Sequence, residues 1–500
     1  MGAALLVSYA RRGDPSFHLS TANLATANNP PLDRAEGDVR SHSTELRREL
    51  GIADLALAQI LIVIVPEFFG TAVKSGPAHG VLWLVAILLF FIPQAFVVSR
   101  LNRLMPLEGG LYEWARLAFS DQIGFLVAWN MWLNTTLQVS QISLVATTYL
   151  AYAFGPKGAW IASSTPFLLI ASMVLIAGMM MVARLGLSVG KWVSNAGSIF
   201  TVVILGVLIA IPWFHWRQQV PIHYQALPIV RPAMSLFTLS VFSKMTFGAL
   251  TGFEMVAIFA GESRNPGRNL ARSILFTAPL IALLYILGTS SILAYVSPDA
   301  IDVIGPIPQA LNAALGGLGI TWAIVPIVIL LLLTNYLCSY TLYFSTNTRL
   351  PLVAGWDHLL PKWFTALHPK YRTPVNATLF MGGVALVAST AVLFGAGNQE
   401  AFALLQTWSW TLYGLAYLAM FAIPLLAPAQ TGMRPGVWLR VGAAFGMAVT
   451  LSFVLLSVFP IVDVTSRLAY SIKVAAVVIG ANFAGWMIYR VGRQKAARAA

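Results

Sequence analysis

Glu67, Lys244 and Glu254 are charged residues set inside long apolar stretches, and that setting gives them chemical meaning. A charge at bilayer depth is costly unless it faces a wet or polar interior, so each is a functional candidate. Glu67 lies in Ile64-Val65-Pro66-Glu67-Phe68-Phe69-Gly70. A carboxylate there attracts an ammonium and repels another carboxylate, unless Lys244 or a proton neutralises it. Closed off from water, a carboxylate favours its protonated form; re-wetted, it releases the proton. Glu67 and Glu254 are therefore candidate proton carriers. Glu254 has a second reading, as a neutral, hydrogen-bonded side chain that staples its helix to its neighbours. Lys244 reads as a counter-ion of Glu67, a substrate ligand, or a side chain snorkelling to the outer interface.

Other chemistry finds little support. His18, His42, His79, His215, His223, His358 and His368 fall in the N-terminal segment, in loops or at the ends of apolar runs, and none pairs with a ligand at helical spacing. A single cysteine, Cys338, excludes an intramolecular disulfide and a cysteine cluster. The G-x-S-x-G elbow of a serine nucleophile is absent. No metal and no cofactor is expected.

The elements that must position the three charges follow from composition. Of 500 residues, 58% are hydrophobic and 10% charged, against roughly 25% charged in a soluble domain. Apolar runs fall near 52–73, 80–99, 123–154, 160–183, 193–214, 235–261, 271–296, 318–347, 375–394, 400–427, 437–459 and 468–489, which predicts about twelve membrane helices. Pro66 removes a backbone hydrogen bond beside Glu67, so the first helix should be kinked or unwound there. Gly248 and Gly252 weaken the sixth helix just before Glu254. Unwound backbone at that depth must line a cavity or be buried in protein. Breaks in the first and sixth of about twelve helices are what two five-helix repeats of opposite topology would give, and such pairs point to a midplane binding site.

The formal charge of +13 suggests nucleic-acid binding until the positions are read. With a cytoplasmic N-terminus, 24 of the 31 Lys and Arg face the cytoplasm and five the other side, a strong positive-inside bias. Both termini are expected in the cytoplasm, with no nucleic-acid partner. Residues 1–50 are polar and expected to be disordered, as a solvated leader or a regulatory tail; they do not read as a signal peptide. The transporter-like domain is placed at 51–490, with repeat one at 52–214, repeat two at 235–427, two extra helices at 437–489 and a basic tail at 491–500.

Three loop motifs then carry a resemblance. Gly252-Phe253-Glu254 followed by Glu262-Ser263-Arg264-Asn265-Pro266-Gly267-Arg268-Asn269-Leu270 is similar to the sixth-helix signature of the amino acid-polyamine-organocation (APC) superfamily. Pro106-Leu107-Glu108-Gly109-Gly110-Leu111-Tyr112, after the second helix, resembles it too. So does the run from Arg349 through Gly355-Trp356-Asp357 and Leu360-Pro361 to Thr373-Pro374, after the eighth. The resemblance implies an all-α inverted-repeat fold with broken helices 1 and 6, alternating access, and import or exchange of amino acids or amines.

The departures bear on the substrate. Where the family opens its first helix with a small Gly-Ser-Gly segment that receives a carboxylate, this chain has Val65-Pro66-Glu67, which favours amines, polyamines or cationic amino acids. Where helix 6 often carries an aromatic lid, the match is Gly248 beside Phe247, so a larger substrate should fit. Thr201 stands where proton-coupled members have a lysine. Polar stripes (Asn130, Asn134, Gln138 and Gln141; Asn335 and Ser339; Gln406, Trp410, Tyr413 and Tyr417) read as a pathway or as interhelical hydrogen-bond glue. Expected substrate contacts are Val65, Pro66, Glu67, Phe68, Asn134, Phe247, Gly248, Leu250, Gly252 and Trp410; expected coupling or gating residues are Glu67, Lys244, Glu254 and Thr201. The leading expectation is a multi-pass inner-membrane transporter of a small amine or amino acid, with protons as the candidate coupling ion and the oligomeric state open. A sensor on the same fold and an intramembrane enzyme or channel are the alternatives.

Overall fold

The computed structural model describes residues 51–499, apart from 106–109, 186–189, 218–221, 223, 256–265, 316–320, 349, 354–358, 361, 369–372 and 428–434. The N-terminal 50 residues and most of the three motif loops lie outside the described residues.

What is described is helical: α1 (Ile52–Val63), α2 (Glu67–Val73), α3 (His79–Ala86), α4 (Ile92–Leu104), α5 (Leu111–Ala118), α6 (Asp121–Ser140), α7 (Ile142–Phe154), α8 (Thr165–Leu185) and α9 (Gly190–Arg217), then α10 (Leu236–Leu250), α11 (Pro266–Leu293), α12 (Pro306–Leu315), α13 (Thr321–Asn347), α14 (Val375–Gly395), α15 (Asn398–Leu426), α16 (Val437–Leu456) and α17 (Arg467–Ala499). Among the described residues, ten helical stretches are long and apolar enough to cross a membrane, and eleven if α1 and α2 form one bent span. The third expected crossing is the one outside that count. It runs as α6 into α7 and carries four amide side chains, Asn130, Asn134, Gln138 and Gln141. The basic segment after residue 490 continues α17 to Ala499.

Both expected interruptions are present. The axes of α1 and α2 differ by 54°. Ile64 is extended (φ −84°, ψ 101°), and Pro66 has no N–H to offer the preceding turn. On the sixth span α10 stops at Leu250, and Gly252 takes φ +114°, a region L side chains avoid. A Cβ there would also meet Ile62 Cγ2 of α1 at 3.0 Å, so the two breaks lie against each other. A third irregularity escaped the sequence: Ile87–Phe91, between α3 and α4, is a π turn. Pro93 follows it, and a proline lacking its N–H disturbs the turn before it in this way.

The broken helices sit at the centre. α1 lies against α9 and α11, α2 against α10 and α11, α9 against α13, and α15 against α6 and α16. α17 is peripheral, with Leu468, Ile472, Ile479 and Phe483 exposed, an apolar rim suited to hydrocarbon.

Candidate functional site

The first break is finished by tyrosines from other helices. Tyr343 of α13 donates its hydroxyl to the Ile62 carbonyl (2.8 Å), and Tyr285 of α11 donates to the Val63 carbonyl (3.0 Å) while accepting from the Val65 N–H (3.0 Å). The polar groups released by the kink are thereby paired, as a low-dielectric setting requires. Glu67, the first residue of α2, is 1% exposed, and neither carboxylate oxygen has a hydrogen-bond partner among the described residues.

Four buried phenols are near enough to feel that carboxylate's charge: Tyr149 of α7, Tyr285 of α11, and Tyr336 and Tyr340 of α13. Tyr336 faces Glu67 on one side and Tyr340 on the other without completing a hydrogen bond. Its ring stacks on Tyr340 (4.2 Å between centroids) and tilts against Tyr149 (6.3 Å). Gln141 donates to the Tyr340 hydroxyl (3.2 Å). Its carbonyl oxygen and the hydroxyls of Tyr149 and Tyr336 are buried without partners. A carboxylate with phenols and spare acceptors near it suits an ammonium group. Sequence reasoning named Glu67 but not these tyrosines. The available signal was Tyr336, Tyr340 and Tyr343, spaced as one helical face in an otherwise leucine-rich run.

At the second break Glu254 has partners. Its carboxylate accepts from the hydroxyls of Tyr413 and Tyr417, both on α15. Tyr417 also accepts from the Gly252 N–H (2.8 Å) and from Gln94 Nε2 of α4 (2.9 Å). These two phenols tie the Glu254 carboxylate to α15.

Between the two breaks lies an aromatic cluster. A Cβ on Gly248 would fall on the Phe68 ring, so the bare backbone of α10 is there to admit that ring. Phe68 meets Trp410 edge-on at 5.2 Å, Phe247 meets Trp410 and Tyr413, and Phe247 stacks on Phe453 of α16 at 4.4 Å. The space that Gly248 was expected to leave for a larger substrate is taken by Phe68. Leu250 is fully buried beyond it, and Val65 is partly buried against the core.

The other expected residues lie elsewhere. Lys244 donates to the Phe459 carbonyl (2.7 Å), after α16, and its ammonium lies 6.0 Å from the Tyr470 ring centroid. It pairs neither with Glu67 nor with Glu254. Thr201 accepts from Asn335 Nδ2 (3.0 Å) and donates to the Gly197 carbonyl, joining α9 to α13. Asn134 donates to the Ser409 carbonyl (2.9 Å) and accepts from Gln138, joining α6 to α15. Asn130 and Asn482 exchange hydrogen bonds between α6 and α17. These amides act as interhelical glue, while Gln141 alone of its stripe reaches the Glu67 tyrosines. Among the described residues no group of three or more His, Cys, Asp or Glu could hold a metal ion.

Comparison with known proteins agrees with this architecture. The amino acid permease family matches residues 54–483. The chain is 24% identical to the probable agmatine/putrescine antiporter AguD of Lactococcus lactis, over 75% of this chain and 78% of that protein. It is 27% identical to the branched-chain amino acid permease BcaP of Bacillus subtilis, over 73% and 81%. In fold it is similar to the solved structure of MhsT in complex with L-phenylalanine, with a TM-score of 0.59 at 14% identity, covering 82% of this chain and 98% of that one. With a family match running from the first helix into the last, and two broken helices meeting at its centre, the chain belongs to the amino acid permease family of the APC superfamily, as a multi-pass membrane transporter.

Proposed function

We propose that the chain moves compounds bearing an ammonium group by alternating access, with Glu67 receiving the ammonium and, in the empty carrier, a proton. The observation that carries this reading is Glu67 itself: buried, unpartnered on both oxygens, and near enough to Tyr149, Tyr285, Tyr336 and Tyr340 for its charge to be felt there. A lone buried carboxylate is expensive to maintain unless a cation or a proton arrives to neutralise it. The relatives support the class of substrate, since one is named for agmatine and putrescine and another for branched-chain amino acids. The positive-inside bias supports insertion in a cell membrane with both termini cytoplasmic.

One carboxylate that takes either a proton or an ammonium makes the two compete. Binding should therefore weaken as pH falls, and an outward-directed amine gradient should exchange against protons. Purified protein in proteoliposomes tests this with labelled amine uptake at imposed pH gradients. Glu67→Gln should lose binding by about tenfold or more, the usual cost of removing one member of a buried charged pair, and should lose the pH dependence with it. Normal binding and unchanged pH dependence in that variant would refute the assignment. The sensor alternative has no observation in its favour. Counterflow of labelled substrate, which a sensor cannot support, separates the two.

A further inference from the structure

The geometry points to a substrate that carries an ammonium but no carboxylate: an amine or diamine in preference to an α-amino acid. The inference rests on the reading of Glu67 above and narrows it. A zwitterion needs acceptors for its ammonium and, a few ångströms away, donors for its carboxylate. Acceptors are plentiful beside Glu67, in its own two oxygens and Gln141 Oε1, with the Tyr149 and Tyr336 hydroxyls able to act either way.

Two backbone donors at the breaks, the Val65 and Gly252 N–H groups, are already engaged. The Val65 N–H donates to Tyr285, and Pro66 has none to give. At the second break the Gly252 N–H donates to Tyr417, and the backbone N–H groups of Gly252 and Glu254 face the Glu254 carboxylate. Each break thus presents one of the protein's own carboxylates where a substrate carboxylate would be received. Lys244 is the one buried Lys or Arg among the described residues, and its ammonium is turned to the Phe459 carbonyl. An entering carboxylate would lose its hydration, find the Val65 and Gly252 N–H groups taken and no free buried Lys or Arg among the described residues, and meet repulsion from Glu67. A second ammonium, or a plain alkyl tail, meets no such penalty.

The test uses purified full-length protein and matched probes that differ by the carboxylate alone: 1,5-diaminopentane against lysine, 1,4-diaminobutane against ornithine, and 3-methylbutylamine against leucine. Binding is read by thermal shift and by displacement of labelled amine. The tightest amine should bind about tenfold or more tighter than its amino acid, the cost of one unpaired buried polar group, and its binding should vanish in Glu67→Gln. An amino acid that binds as tightly as its amine, still through Glu67, overturns this inference and leaves the ammonium reading standing. Binding untouched by Glu67→Gln, or no binding of any probe, overturns both. Tyr285→Phe frees the Val65 N–H and should narrow the amine preference several-fold; an unchanged ratio in a folded variant overturns the donor argument. If that variant does not fold, the matched probes on the native protein decide alone.

Discussion

At the scale of single residues, the contrast between the two central carboxylates is the most informative feature. Glu67 and Glu254 have the same side chain, the same near-complete burial and a break in the backbone beside each. Glu254 is held by Tyr413 and Tyr417, so its hydrogen-bonding capacity is spent on structure; Glu67 has no such holder. Removing each should therefore have opposite signatures. Glu254→Ala strands two phenols and the Gly252 turn, with an expected stability loss of about 1–3 kcal/mol visible as a lowered Tm in detergent. Glu67→Gln, at the unpartnered site, should leave Tm nearly unchanged or raise it, because an uncompensated buried charge is removed. Gly248 makes a packing prediction. Gly248→Ala places a methyl on the Phe68 ring, with an expected cost of about 1–3 kcal/mol, and Phe68→Leu in the same chain should recover part of it.

At the scale of elements, a broken helix must find partners for the groups its break releases, and here the partners are phenols from unbroken neighbours. Tyr343 and Tyr285 serve the carbonyls of Ile62 and Val63, and Tyr285 also serves the Val65 N–H. α1, α11 and α13 are thereby tied at the point where α1 ends. Tyr343→Phe leaves one buried carbonyl unpaired, and Tyr285→Phe leaves a carbonyl and an N–H. Each orphaned group costs about 1–3 kcal/mol, so thermal unfolding should show the larger loss for Tyr285→Phe. A reversed order would mean that the two caps do not act as drawn.

At the scale of the whole molecule, the segment between α11 and α12 links the ends of separate helices. Asp302 accepts from Tyr152 of α7 (3.0 Å), from Gln399 of α15 (2.6 Å) and from the Ile304 N–H (2.9 Å). The segment lies against α2, α7 and α15. Asp302→Ala removes all three bonds, and amide hydrogen exchange across residues 297–305 should accelerate while exchange in α6 and α15 stays slow. Protection unchanged in that segment would show that other contacts hold it. The positive-inside bias predicts that a fluorescent protein fused after Ala500 folds and fluoresces, whereas alkaline phosphatase fused there is inactive.

The sequence alone determined what the solvent dictates. Apolar run lengths follow from bilayer thickness, and the two breaks from Pro66 and Gly252, whose backbone effects are local. Glu67 was legible for the same reason, since a carboxylate inside an apolar run is conspicuous without any knowledge of its neighbours. Only the tertiary structure decided what those neighbours are. Tyr285 and Tyr336 are distant from Glu67 in the chain, and no local pattern links a tyrosine to a break in another helix. Tyr417 becomes the partner of Glu254 in the same way, and Phe68 the occupant of the space at Gly248. Lys244, which sequence position left open between counter-ion, ligand and snorkel, donates to the Phe459 carbonyl, a contact spanning 215 residues. Local chemistry writes itself into adjacent residues, whereas hydrogen-bond partnership across a helix bundle depends on which faces the packing brings together.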